Sequence, residues 1–197
     1  MAMRPLRFAS NAFTWSSYCF TCASITLAPA GSYKNEQEVT LDRDWSDLSP
    51  VTYNNKNVKT LTIDGPLLNL VYISQGLTEK DPLFIGPEGD NKNHIAPRPK
   101  ENMSLTEQME FVANSVSELG FLKVEYASPK PVTVSDTKGV RFEIITKTKE
   151  GLDTKGLAQA VSKNGKNYYI VYIAPKIHYF NANKNNVIAI MDSQKLP

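Results

Sequence analysis

Residues 104–120 constrain the fold more than any other stretch of this chain. Ser104 and Glu107 stand in S-x-x-E spacing. In that pattern the serine hydroxyl and the glutamate carboxylate each satisfy an orphan backbone N–H at a helix start. Leu105, Met109, Val112, Val116 and Leu119 follow at steps of four, three, four and three, which puts them on one helical face. Gly120 stands where a left-handed residue ends a helix. The sequence on both sides reads as strand. An amphipathic helix cannot bury its stripe alone, so a helix set among strands must lie on a sheet.

Several segments supply that sheet. Glu38–Leu41 alternates and reads as a first short strand, followed by an Asp-rich turn, 42–50, that docks Trp45 onto the body. Val58–Ile63 alternates cleanly and ends at Asp64-Gly65-Pro66. Leu67–Leu77 is apolar on both parities and reads as an extended segment after a turn. Residues 80–102 form a long polar loop rich in Pro and Gly, with Leu83, Phe84 and Ile85 pinning its near end. Past the helix, Phe121–Tyr126 reads as a strand broken by Ser128-Pro129-Lys130-Pro131. Val140–Thr148 and Leu157–Val161 continue a meander. Asn164-Gly165 suits a type I′ hairpin turn into the strand Tyr168–Ala174. A terminal helix is expected from about Asn183 to Asp192, with Val187, Ile190 and Met191 inward. The fold class is therefore α/β of the α+β kind. An antiparallel sheet of about five or six strands carries a long helix and a C-terminal helix.

The N-terminus reads as an address. Arg4 and Arg7 precede Phe13, Trp15, Tyr18, Cys19 and Phe20, and then Cys22 is followed by Ala-Ser and a Pro/Gly/Ser-rich run. A basic head with an apolar middle is the order of an export signal. Cys-Ala-Ser with a tether resembles the start of mature bacterial lipoproteins. Cys19-Phe20-Thr21 departs from the usual lipobox, which has Leu three residues before the Cys and a small residue just before it. The expected organisation is a signal peptide over 1–22, lipid attachment at Cys22, a flexible tether over 23–36 and a single α/β domain over 37–197. The expected location is the cell envelope, at the periplasmic face of the outer membrane, with the lipid anchor holding the chain to the membrane. A cytosolic protein with a disordered N-terminus is the alternative.

Charge and motifs narrow the chemistry. Lys and Arg number 22 against 20 Asp and Glu, a net charge of +2, and the two signs are interspersed. No basic stripe of the kind a nucleic-acid surface needs is present, so no nucleic-acid partner is expected. Both cysteines precede residue 23, so the body has neither a disulfide nor a Cys-containing metal site. There is no G-x-S-x-G elbow and no phosphate-binding G-x-x-x-x-G-K-[ST]. Asp42, Asp44 and Asp47 lack the Gly and distal Glu of a calcium loop, so turn and capping roles are expected of them. Glu143 and Asp153 read as partners of Lys147, Lys149 and Lys155 in ordinary cross-strand ion pairing. Neither a cofactor nor a metal is expected.

The order of elements resembles the PsbP/Mog1-like α/β/α sandwich over about residues 37–193. Gly-Phe closing the long helix, the Asn-Gly hairpin and Tyr179-Phe180 leading to a terminal helix carry that resemblance. PsbP-like proteins bind partners and assist assembly, and Mog1 binds a small GTPase, so the resemblance implies binding more than catalysis. Val58–Asn69, with Tyr72–Leu77, also resembles a group of uncharacterised bacterial envelope lipoproteins. A ligand or partner surface is expected around His94, Tyr169, His178 and Tyr179. Tyr169 belongs to it only if one sheet face is uncovered. An envelope enzyme using His94 with Glu88 and Asp90 in the 80–102 loop is the competing expectation.

Overall fold

A computed structural model describes residues 25–52 and 55–197. The expected signal at 1–22 and Cys22 itself lie outside the described residues. The strands are β1 (Thr26–Ala28), β2 (Gly31–Lys34), β3 (Glu38–Leu41), β4 (Trp45–Asp47), β5 (Val58–Thr62) and β6 (Leu70–Ser74), then, after helix α1 (Leu105–Ser117), β7 (Leu122–Val134), β8 (Thr137–Lys147), β9 (Asp153–Lys163) and β10 (Lys166–Pro175). Helix α2 (Tyr179–Asp192) closes the order. Eight strands form one antiparallel sheet in the order β1-β4-β5-β6-β10-β9-β8-β7, and β2 pairs with β3 alongside.

The central strand β10 shows why the sandwich forms. Tyr169, Val171 and Ile173 point to α1, where they meet Phe111, Val112 and Val116. Ile170, Tyr172 and Ala174 point to α2, where they meet Phe180, Val187, Ile190 and Met191. Side chains alternate along a strand, so a strand apolar on both parities needs cover on both faces. Each helix supplies one cover. Both capping-box bonds are present at Ser104, and Gly120 takes φ 85°. Asn164 and Gly165 have φ 52° and 74°, the two positive values of a type I′ turn.

Four boundaries depart from the sequence reading. The sheet is wider than five or six strands, because the stretch read as a tether carries β1 and β2. These strands are three and four residues long, and pairing to β4 and β3 defines them more than their own pattern does. Trp45 docks as expected and is buried, but from strand β4 and not from a turn. β7 runs through Pro129 and Pro131 with two register shifts. It is an edge strand, where a missing N–H costs no ladder bond. α2 starts earlier than Asn183, because Phe180 stacks on Tyr172 at 5.6 Å and ties the first turn to the sheet.

Candidate functional site

Three strands end together at one edge of the sandwich. Leu70 at the start of β6 pairs with Ile173 near the end of β10, and Pro175 pairs with Thr154 at the start of β9. Two turns flank these ends. In the first, Gly65 takes φ 108°, and its carbonyl accepts from the N–H groups of Leu68 and Asn69. Asn69 is buried and organises the turn. Its side-chain oxygen accepts from the Thr62 hydroxyl and the Ile63 N–H, both at 3.0 Å, and its amide donates to Asp64. With the backbone held this way, Leu67 points outward and is 88% exposed. In the second turn the Thr148 hydroxyl accepts from the Leu152 N–H at 3.3 Å, which leaves Leu152 44% exposed.

Between these turns lies a cleft of about 190 Å³ lined by Pro66, Leu67, Leu68, Leu70, Phe121, Leu152 and Ile173. Drug-sized ligands occupy roughly 300–1,000 Å³, whereas a cavity of about 150 Å³ accepts a benzene ring. The cleft therefore suits one apolar side chain. Thr154 also lines it, and the Thr154 hydroxyl is buried with no hydrogen-bond partner among the described residues. Ile177 follows Pro175 at the same strand end and is 77% exposed.

Phe121 also lines a second cleft, of about 260 Å³, formed by Gly86, Glu88, His94, Ser117, Glu118 and Lys149. The two clefts form one end face with an apolar half and a polar half. In the polar half the His94 ring sits between two carboxylates. His94 Nε2 is 2.6 Å from Glu118 at the end of α1, and Nδ1 is 3.3 Å from Glu88. The hydrogen bond to Glu118 holds the His94 pKa above its ordinary value, aided by the Glu118, Glu88 and Asp90 charges against a desolvation cost. Gly86 makes the close approach possible, since a Cβ there would collide with the Glu118 carbonyl.

The structure does not gather the residues singled out from sequence into one site. His94 joins the end face with Glu88, but Asp90 turns to Arg98 at 2.6 Å and to the Ala96 N–H at 3.1 Å. Glu118, twenty-four residues away and in another element, is the partner that sequence spacing did not offer. Tyr169 lines no groove: α1 covers that face, and its ring packs on Phe111 with centroids 5.2 Å apart. His178 is exposed at φ 68° and occupies the N-cap position of α2 without a side-chain cap bond. Its ring stands edge-on to Tyr179, on the α2 side of the sheet. Lys147 bonds Asp153 at 3.2 Å and Lys155 bonds Glu143 at 2.9 Å, the cross-strand pairing read from sequence. Among the described residues no three His, Cys, Asp or Glu side chains converge in metal-ligand geometry.

The apolar half escaped the sequence reading because its leucines looked like strand. The available signal was Asp64-Gly65-Pro66 followed by Leu67-Leu68, a turn that leaves no strand partner for the first leucine.

No protein-family model matches the chain, and no curated protein matches it in sequence. Solved structures match it in shape. Cyanobacterial PsbP (CyanoP) from Synechocystis superposes with a TM-score of 0.56 at 10% identity, over 91% of this chain and 96% of that one. Mog1p from Saccharomyces cerevisiae, described as a Ran-binding protein, superposes with a TM-score of 0.52 at 10% identity, over 88% and 96%. At this identity the likeness is one of architecture, and the chain has the PsbP/Mog1-like fold.

Proposed function

We propose that this chain is a non-catalytic binding domain of the cell envelope, and that its sheet-end cleft receives one apolar side chain of a protein partner. The observation that carries this is the side-chain-sized cleft rimmed by Leu67 and Leu152, both held out into solvent by hydrogen-bonded turns. Anchors of that size, seated in a pocket and ringed by polar groups, supply most of the energy of many interfaces. That a neighbour in fold, Mog1p, is described as Ran-binding supports a protein as the partner. A photo-crosslinker placed at position 67 should trap a partner in native membranes, and one at Lys163 in the far hairpin should not. Leu152→Asp should abolish the product. Equal crosslinking at both positions would contradict the reading.

The envelope location rests on the N-terminal order and on the resemblance to envelope lipoproteins. In this reading residues 1–22 carry the signal and Cys22 carries the lipid. β1 begins at Thr26, four positions on. The anchor would then hold that sheet edge within about 14 Å of the bilayer surface. The native protein should lack the residues before Cys22 and carry acyl mass. An intact, unmodified N-terminus by mass spectrometry would contradict this.

A second reading has its own observation. A histidine held by a carboxylate at 2.6 Å in an open cleft is the arrangement of a general base. Under that reading His94→Ala removes an activity. Under the binding reading it leaves crosslinking at position 67 in place.

A further inference from the structure

We propose that residues 86–95 form a pH-released latch over the polar half of the end face, with His94 as the catch. The gating of a partner rests on reading that face as the binding site, while the latch itself does not.

The two ends of the 80–102 loop are fixed independently of His94. Leu83 and Phe84 are fully buried at the near end, where the Pro82 carbonyl accepts from Asn55 at 2.7 Å. At the far end Ala96 is buried, and the Lys100 carbonyl accepts from Asn167 at 3.2 Å. Between these anchors Pro87, Glu88 and residues 90–93 face solvent, as does Ile95. Among the described residues, the side-chain bond from this stretch to the end of α1 is His94 to Glu118, the C-cap of the helix. Glu118 is only 15% exposed beneath it, so the latch covers the carboxylate that ends the helix. Opening would uncover Glu118 beside Phe121 and the already exposed Ser117, and would extend the apolar cleft into a longer docking face.

The charges around the ring set the sign. Glu118 faces it from α1, and Glu88 and Asp90 face it from its own segment, with Asp90 already paired to Arg98. Lys149, from the turn between β8 and β9, lines the same cleft. Protonated, His94 donates from both nitrogens and bridges Glu88 to Glu118. Neutral, it has one N–H, and its other nitrogen faces a carboxylate lone pair. The folded state raises the pKa of His94, so the latch contribution is fully present below the ordinary histidine value of about 6.5 and is lost as pH rises through the higher folded value.

Hydrogen exchange of the whole chain, corrected for intrinsic rates, tests this between about pH 5.5 and about pH 8.5. Protection across 86–95 should fall several-fold on raising the pH, while α1 keeps its protection. His94→Gln should show the released level at both pH values. Protection that does not change with pH in the unsubstituted protein, or a step that persists in His94→Gln, would overturn the latch. NMR titration gives a second reading that needs no histidine variant. The His94 midpoint should lie above about 6.5 and fall in Glu118→Gln; a midpoint at or below that value overturns the proposal. Leu152→Asp should leave the pH step in place whether or not it abolishes crosslinking from position 67, so failure of the latch and failure of the partner reading separate.

Discussion

Tyr169 is where residue-scale physics is most exposed to measurement. Its ring is fully buried against Phe111, and its hydroxyl has no hydrogen-bond partner among the described residues. Burial alone pushes its pKa far up, so the group stays a neutral phenol. Deleting an unpaired buried hydroxyl removes a desolvation cost, so Tyr169→Phe should be neutral or stabilising by about 1 kcal/mol in chemical denaturation. Tyr169→Ala should cost about 3–5 kcal/mol, since it empties the α1 side of the central strand. Sequence periodicity placed aromatics on both parities of β10, and the structure covers both faces. It could not single out which polar tip would go unpaired, because that depends on the helix laid above. His94 teaches the same lesson. Its loop neighbours Glu88 and Asp90 were legible, whereas Glu118 reaches it only through the fold.

At the scale of elements, legibility tracked local determination. α1 was readable because cap, stripe and terminal glycine agree within one segment. Ser104→Ala should cost about 1 kcal/mol by loss of the capping bond, measured by urea denaturation. The hairpin at Asn164-Gly165 was readable for the same reason. Gly165→Ala, at φ 74°, should cost about 1 kcal/mol or more, again read by denaturation. β1, β2 and the second half of β7 were not readable. β1 has only three residues and β2, Gly-Ser-Tyr-Lys, has a single large apolar side chain, so neither shows an apolar alternation. The prolines of β7 are tolerated because no strand among the described residues lies beyond it.

At the scale of the molecule, two helices cover the two faces of a wide antiparallel sheet, and the PsbP/Mog1-like architecture follows. The helices do not cover the strand ends. There Gly65 and the Thr148–Leu152 turn leave leucines in solvent beside the apolar cleft. Because Leu67 is exposed and packs on little, Leu67→Asp should change stability in urea denaturation by no more than about 0.5 kcal/mol while abolishing partner capture by a photo-crosslinker moved to position 152. The central claim is that this cleft takes an apolar anchor, and amide shifts on titration with toluene test it without knowledge of the partner. The account predicts saturable shifts at Leu68, Leu70, Phe121, Leu152, Thr154 and Ile173, lost in Leu152→Asp. Shifts that are absent there, or that survive unchanged in Leu152→Asp, would contradict it.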